Sequence, residues 1–224
     1  MILKENERLD DLQYNDMYII QDPNGYCFTS DAVILANNAT VKKGDRVCDL
    51  GTGSGIIPIL ITAKNDIREA IGLELIDRQV DMATRSVEYN HLEGKIKIVH
   101  GDIKEADKLF GAGVFYLVVS NPPYGIVGTG EMKQDSWIAR SRYEITVTLD
   151  EVIKSASKIV KYGGRVAIIN KAERLAEMTN LMIKYGIEPK KLINIFRKGD
   201  LADTVILEGV RGGKKGMKVY GIKA

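Results

Sequence analysis

The chain has 224 residues, 45% hydrophobic and 28% charged, which is enough length and apolar content to bury the core of one α/β unit. No apolar run approaches the roughly 18 residues of a membrane span, and the first residues hold no apolar signal-peptide region. Two cysteines, Cys27 and Cys48, make neither a disulfide framework nor a zinc site, so a reduced, cytoplasmic setting is expected. The net charge of +2 is too mild to announce a nucleic-acid binder, but residues 184–224 carry ten Lys/Arg against four Asp/Glu, leaving 22 against 26 for the rest: a basic segment on an acidic body.

In chain order, residues 1–45 precede the first sheet strand and contain one predicted helix, 30–38. From residue 46 the pattern repeats as strand, turn, helix. A short apolar strand at 46–50 ends on Gly51, and a helix at 56–64 follows, with Pro58 tolerated in its first turn. A strand at 69–74 leads to a helix that Asp77 caps, running to about Asn90. Residues 95–100 alternate polar and apolar as a strand does, and 103–109 is a short helix behind Asp102. The nearly continuous apolar run 114–120 is a central buried strand. After a polar connection at 125–147, long enough to be functional, come a helix at 149–161, a turn at Gly163-Gly164, a strand at 165–170, a helix at 172–185, and strands at 192–196 and 204–210. Strands alternating with helices in this way imply a mostly parallel sheet with helices on both faces.

The first chemical signal is Asp49-Leu50-Gly51-Thr52-Gly53-Ser54-Gly55, between a strand and a helix. Its glycines let the backbone turn sharply against a ligand. A dinucleotide site shows G-x-G-x-x-G, with pyrophosphate over the helix N-terminus. Here the spacing is D-x-G-x-G-x-G, and the leading acid suits an ammonium or sulfonium and repels pyrophosphate; no Lys follows to make a P-loop. Glu74, 23 residues after Gly51 at the end of the next strand, is placed to accept both ribose hydroxyls of a nucleoside. Asp102 is placed to accept from an adenine amino group, to cap the helix behind it, or to do both with its two oxygens.

The second signal is Ser120-Asn121-Pro122-Pro123-Tyr124 at the end of the fourth strand. Two prolines stiffen the turn and remove donors. The Asn121 Oδ1 and the Pro122 carbonyl can then accept both hydrogens of an NH₂ group, returning lone-pair density to a nitrogen otherwise conjugated into a ring or carbonyl. Tyr124 offers a face on which a planar substrate stacks. His91 and His100, the only histidines, read as structural or surface residues, and no metal site is expected.

Together these residues resemble the class I S-adenosylmethionine-dependent methyltransferases, specifically the amino-methyltransferases marked by N-P-P-Y. Within that group the chain resembles the bacterial tRNA1(Val) adenine-37 N6-methyltransferase family over almost its whole length. The segments 9–12, 19–21 and Phe28-Thr29-Ser30-Asp31-Ala32-Val33 look like that family's N-terminal block, and Arg142-Tyr143-Glu144, Glu173-Arg174-Leu175 and Leu207-Glu208-Gly209 fall where related segments carry similar residues. The resemblance implies a Rossmann-like, mostly parallel seven-stranded sheet in a single methyltransferase domain, with 1–45 covering the cofactor and 46–224 forming the core. It implies S-adenosylmethionine as cofactor and S-adenosylhomocysteine as product, held by Phe28, Thr29, Asp31, Asp49, Leu50, Gly51, Gly53, Gly55, Glu74, Leu75, Asp102, Ile103 and Asn121. Asn121, Pro122, Pro123 and Tyr124 would grip the amine of an adenine in tRNA, with Arg140, Arg142, Arg197, Lys198, Arg211, Lys214 and Lys215 meeting RNA, in a monomer or weak dimer without metal or membrane. Tyr143 and Asn170-Lys171 depart from the family pattern at positions able to touch RNA. The competing readings are a release-factor glutamine N5-methyltransferase, an rRNA guanine-N2 methyltransferase, a non-catalytic RNA-binding module on the same fold, and a dehydrogenase, which the turn's spacing and charge disfavour.

Overall fold

The computed structural model describes residues 3–25, 27–124 and 147–224. Eight strands form one sheet. In chain order the elements are a hairpin of β1 (Arg8–Asp11) and β2 (Tyr18–Gln21), α1 (Ser30–Asn38), β3 (Arg46–Leu50), α2 (Ile56–Lys64), β4 (Glu69–Glu74), α3 (Asp77–Tyr89), β5 (Ile96–His100), a 3-10 turn (Ile103–Glu105) running into α4 (Ala106–Phe110), β6 (Phe115–Ser120), α5 (Leu149–Ile159), β7 (Val160–Lys171), a 3-10 turn (Ala172–Arg174) running into α6 (Leu175–Lys184), β8 (Ile187–Phe196), β9 (Thr204–Arg211) and β10 (Lys218–Lys223). The sheet order is β10-β8-β9-β7-β6-β3-β4-β5. Among the described strands of this sheet, only β9 runs antiparallel to its neighbours.

This order positions the site. β3 pairs with β4 on one side and β6 on the other, both parallel, so the chain reverses its direction of travel across the sheet between β3 and β6. At such a reversal the connections leave on opposite faces and open a crevice beyond the strands' carboxyl ends. The ends of β3, β4, β5 and β6, with the residues that follow each, therefore converge there. The apolar side chains split by face. Leu50, Leu73, Val118 and Ile168 pack with α5 and α6, while Val47, Ala70, Leu117 and Ile169 pack with α1 and α2. A fully buried Ile or Leu is worth about 1.5–3 kcal/mol, so these two layers hold the crevice in shape.

Several local readings are corrected. The N-terminal segment holds a β-hairpin as well as its helix, and the hairpin docks on α3: Asn90 Oδ1 accepts from Tyr18 N at 2.8 Å and Ser86 Oγ from Ile20 N at 2.9 Å. Asp77 does not cap α3; Ile76 holds that position and Asp77 is the first helical residue, its carboxylate still facing the helix's positive end. Gly163-Gly164 is no turn between helix and strand. The helix stops at Ile159, and β7 carries the pair inside a bulge, where Phe115 opposes Val160 but Leu117 opposes Arg165. β8 begins at Ile187, five residues early, because a register shift between Pro189 and Lys191 accommodates a residue with no N–H. The last segment is β10, an eighth strand parallel to β8. The connection at 125–147, apart from Val147, lies outside the described residues, as do Arg140, Arg142 and Tyr143.

Candidate active site

The turn after β3 is left-handed at three glycines, Gly51 (φ 77°), Gly53 (φ 59°) and Gly55 (φ 87°), a conformation costly for any residue with a Cβ. Gly72, on β4, has a different reason: a Cβ there would lie 2.8 Å from both Thr52 side-chain branches. The turn is tied to β4 by Gly51 N and Thr52 N, which both donate to Leu73 O, and by Gly53 N, which donates to Glu74 Oε2 at 2.9 Å. Ser120 Oγ donates to Leu50 O at 2.7 Å and stitches the ends of β6 and β3.

A cleft opens over these ends. Of the anticipated residues, Leu50, Gly51, Gly53, Glu74, Leu75, Asp102, Ile103, Asn121, Pro122 and Pro123 line it together. Ile76, Gln79 and Val147 line it too and were not anticipated. The signal for Gln79 is a polar residue buried to 2% exposure in the first turn of a helix aimed at the cleft, visible only once that direction is known. Phe28, Thr29, Asp31, Asp49, Gly55 and Tyr124 do not line it. Phe28 packs on the core face that α1 and α2 cover, and its N–H donates to Gln21 Oε1.

Three carboxylates flank the cleft in three different states. Asp49 is buried beneath the turn, and neither oxygen has a hydrogen-bond partner among the described residues. Burial pushes its carboxyl up to about 7; the Thr52 hydroxyl, near but outside hydrogen-bond geometry, holds the rise back, and the Glu74 charge adds to it. Such a group is costly to leave alone and answers to an arriving cation. Glu74 is also raised by burial, opposed by N–H bonds from Ile76, Gly53 and Leu75. Those three bonds occupy three of the roughly four lone-pair sites of a carboxylate. Oε2, with a single N–H donor, keeps room for a further strong donor. Asp102 divides its work: Oδ1 accepts from Lys104 N at 2.9 Å, capping the 3-10 turn, and Oδ2 lies 3.3 Å from Lys104 Nζ at the cleft's rim.

The N-P-P-Y turn is held by more than its prolines. The Tyr124 hydroxyl lies 2.7 Å from Asp31 Oδ2 and 2.8 Å from Asn121 Oδ1. Asp31 in turn ion-pairs with Arg197. Lys171 Nζ sits 5.5 Å from the Tyr124 ring centroid. Tyr124 is thus more than a stacking face.

The basic residues separate by end of the sheet. Arg197 and Lys198 follow β8 on the cleft's end, but the Arg197 guanidinium is committed to Asp31, Asp203 and Thr204. Because β9 runs antiparallel, Arg211, Lys214 and Lys215 fall at the opposite end, and Arg211 donates to Val160 O at 2.6 Å. Lys223, paired with Phe196, lies on the cleft's end. Among the described residues no cluster of His, Cys, Asp and Glu is arranged to hold a metal, and no helix is long and apolar enough to cross a membrane.

The chain is similar to proteins named tRNA1(Val) (adenine(37)-N6)-methyltransferase: one from Porphyromonas gingivalis is 26% identical over 210 residues, covering 82% of each chain, and one from Aeromonas salmonicida is 26% identical over 189 residues, covering 82% of this chain and 76% of its own. Among solved structures, a predicted O-methyltransferase from Agrobacterium tumefaciens superposes with a TM-score of 0.66 at 19% identity, covering 86% of this chain and 85% of its own. A tRNA m1G37 methyltransferase from M. jannaschii gives 0.64 at 17% identity, covering 94% of this chain and 56% of its own. At those identities the structures speak for the fold, and the fold is that of the class I methyltransferases. The model of one family, the methyltransferase small domain, matches residues 28–185, from the segment before α1 through the glycine turn and the N-P-P-Y turn to the end of α6, and the chain belongs to that family of methyltransferases.

Proposed function

We propose that this methyltransferase uses S-adenosylmethionine to methylate the exocyclic N6 of an adenine in tRNA, the anticodon-loop adenine 37 for which its relatives are named. The observation that carries this reading is the convergence of Asn121 and Pro122 with the glycine turn and Glu74 on one cleft. The fit to the cofactor rests on Asp49, a buried carboxylate with no hydrogen-bond partner among the described residues, beneath a turn whose glycines leave the backbone bare. Bound S-adenosylmethionine supplies a methyl group already activated as a sulfonium.

Everything else falls to the chain. Glu74 takes one ribose hydroxyl on Oε2, and Asp102 takes the adenine amino group on the oxygen not engaged by Lys104 N. Leu75, Ile76 and Ile103 make the apolar walls between which the adenine slides. The Asn121 Oδ1 and the Pro122 carbonyl would accept the two hydrogens of the target amine and so orient its lone pair for transfer. The Tyr124 ring, with Lys171 over it, receives a base splayed out of a single-stranded loop. The test is single-turnover transfer of labelled methyl to unmodified tRNA followed by nucleoside analysis. N6-methyladenosine is the expected product; label in a release factor, in guanosine, or in nothing would refute the reading.

Two further results are expected. Glu74→Gln, which removes the charge and places an NH₂ against a backbone N–H, weakens S-adenosylhomocysteine binding by about 10- to 100-fold, as loss of a bond to a charged group does; an unchanged dissociation constant by calorimetry would make Glu74 purely a brace for the turn. For RNA, neutralising Lys198 and Lys223 on the cleft's end flattens the plot of log affinity against log salt by about 1–2 in slope. Neutralising Lys214 and Lys215 at the far end leaves the slope alone, and the reverse outcome would move the RNA to the other end of the sheet.

A further inference from the structure

The Tyr124 hydroxyl sits between two acceptors and owns one hydrogen. Asp31 Oδ2 is at 2.7 Å and Asn121 Oδ1 at 2.8 Å. Both cannot receive that hydrogen. A carboxylate accepts more strongly than an amide oxygen, and Asp31, buried to 6% exposure, is ion-paired with Arg197 on its other oxygen. The hydrogen therefore goes to Asp31. The Tyr124 oxygen is left with lone pairs toward Asn121, and only a donor is satisfied there.

The two ends of an amide have the same shape, and the hydrogen-bond network decides which way it faces. With Tyr124 as acceptor, Asn121 turns its NH₂ to the tyrosine. Its Oδ1 then faces away, toward the cleft that Asn121 lines. We propose that Asp31 is a positioning residue: by taking the Tyr124 hydrogen it fixes the Asn121 amide with its oxygen toward the substrate and so defines the site as one that accepts from an NH₂ group. The inference rests on the reading of Asn121 given above and adds the residue that sets it. Asp31 comes from the first turn of α1, outside the sheet, so the N-terminal segment contributes directly to specificity at the reacting nitrogen.

Asp31→Asn tests this with the side chain's shape preserved. The oxygen of the substituted amide stays with Arg197, so its NH₂ meets the Tyr124 hydroxyl, which must then donate to Asn121 and turn that amide the wrong way. The single-turnover rate is expected to fall about tenfold, the population shift that one neutral hydrogen bond imposes. Tyr124→Phe removes the bias altogether and costs about twofold. The decisive variant carries both substitutions. Without the hydroxyl nothing holds the amide in the wrong sense, so Asp31→Asn/Tyr124→Phe recovers to about the Tyr124→Phe rate. A role in stability alone predicts the opposite, since a second lesion in a weakened site lowers the rate further.

An NMR measurement on the ligand-free protein reads the orientation without substrate. The Asn121 side-chain amide protons give NOEs to the Tyr124 ring in the wild type and lose them in Asp31→Asn. A double variant slower than Asp31→Asn, or no such NOEs in the wild type, overturns the positioning role. Wild-type turnover by Asn121→Ala overturns instead the functional reading beneath it, and the use of the oriented oxygen with it.

Discussion

Replacing Asn121 by Ala is expected to lower kcat by about 10²–10³, the cost of removing one preorganised group at a centre where charge develops. As the methyl carbon approaches, the substrate nitrogen becomes tetrahedral and its hydrogens more acidic. The bond to the Asn121 Oδ1 therefore strengthens along the reaction, and interactions that strengthen toward the transition state act on the rate. The cofactor should notice far less. Asn121 borders the same cleft as Leu50 and Gly51, so a change of at most about tenfold in the S-adenosylhomocysteine dissociation constant is the expected side effect. Single-turnover transfer to unmodified tRNA separates the two, since it reads chemistry with cofactor in excess. A kcat at the wild-type level in a folded Asn121→Ala protein would reduce the N-P-P-Y turn to a structural stop at the end of β6. A large loss of cofactor affinity with an unchanged rate at saturation would reassign Asn121 to the binding site.

Such a prediction was available from the sequence because both turns announce themselves locally. Asp49 through Gly55 and Asn121 through Tyr124 are contiguous, each sits where an apolar strand stops, and the backbone demands of glycine and proline are carried by the residues themselves. What was not legible depends on partners far along the chain. Tyr124 and Asp31 are 93 positions apart, and nothing in either neighbourhood says that the hydroxyl is spoken for. The capacity of Glu74 likewise emerged only when Gly53, Leu75 and Ile76 were found donating to it. The β1–β2 hairpin was hidden for another reason. Its turn takes positive φ at Gln13, Asn15 and Asp16, with no glycine to mark it. β10 is a short run containing Gly221, with weak alternation of its own, and it exists because β8 offers it an edge. The basic C-terminal segment is divided between the two ends of the sheet for a topological reason the sequence does not display: one antiparallel strand, β9, sends Arg211, Lys214 and Lys215 to the end away from the cleft.

Asp49→Asn is expected to make the ligand-free protein more stable and a worse binder, and both effects should depend on pH. The Asp49 carboxyl ionises at 3.8 when unburied and at about 7 in the fold. Between those values the folded protein holds a proton that the unfolded chain has released, so stability falls as pH rises through that window and is lowest above about 7. At about 1.4 kcal/mol per pH unit the ionised side chain costs the fold roughly 4 kcal/mol. Asparagine carries no charge to desolvate, but it leaves a buried amide short of partners at about 1–3 kcal/mol. The net gain at pH 8 is then roughly 1–3 kcal/mol, or a rise of about 2–12 °C in Tm for a chain of this size. At pH 5, where Asp49 is already protonated in the fold, the gain should vanish. Binding runs the other way. An arriving sulfonium and ammonium favour the ionised carboxylate, so wild-type affinity for S-adenosylmethionine should climb with pH up to about 7, level off above it, and be accompanied by proton release near neutrality. Asp49→Asn should bind about 10- to 100-fold more weakly at pH 8 and lose that climb. Calorimetry from pH 5.5 to 8.5, in buffers of different ionisation enthalpy, measures both. A pH dependence that persists in Asp49→Asn belongs to Glu74, which burial also raises, and a wild-type affinity that is flat across the range would mean that the buried carboxylate does not serve the cofactor at all.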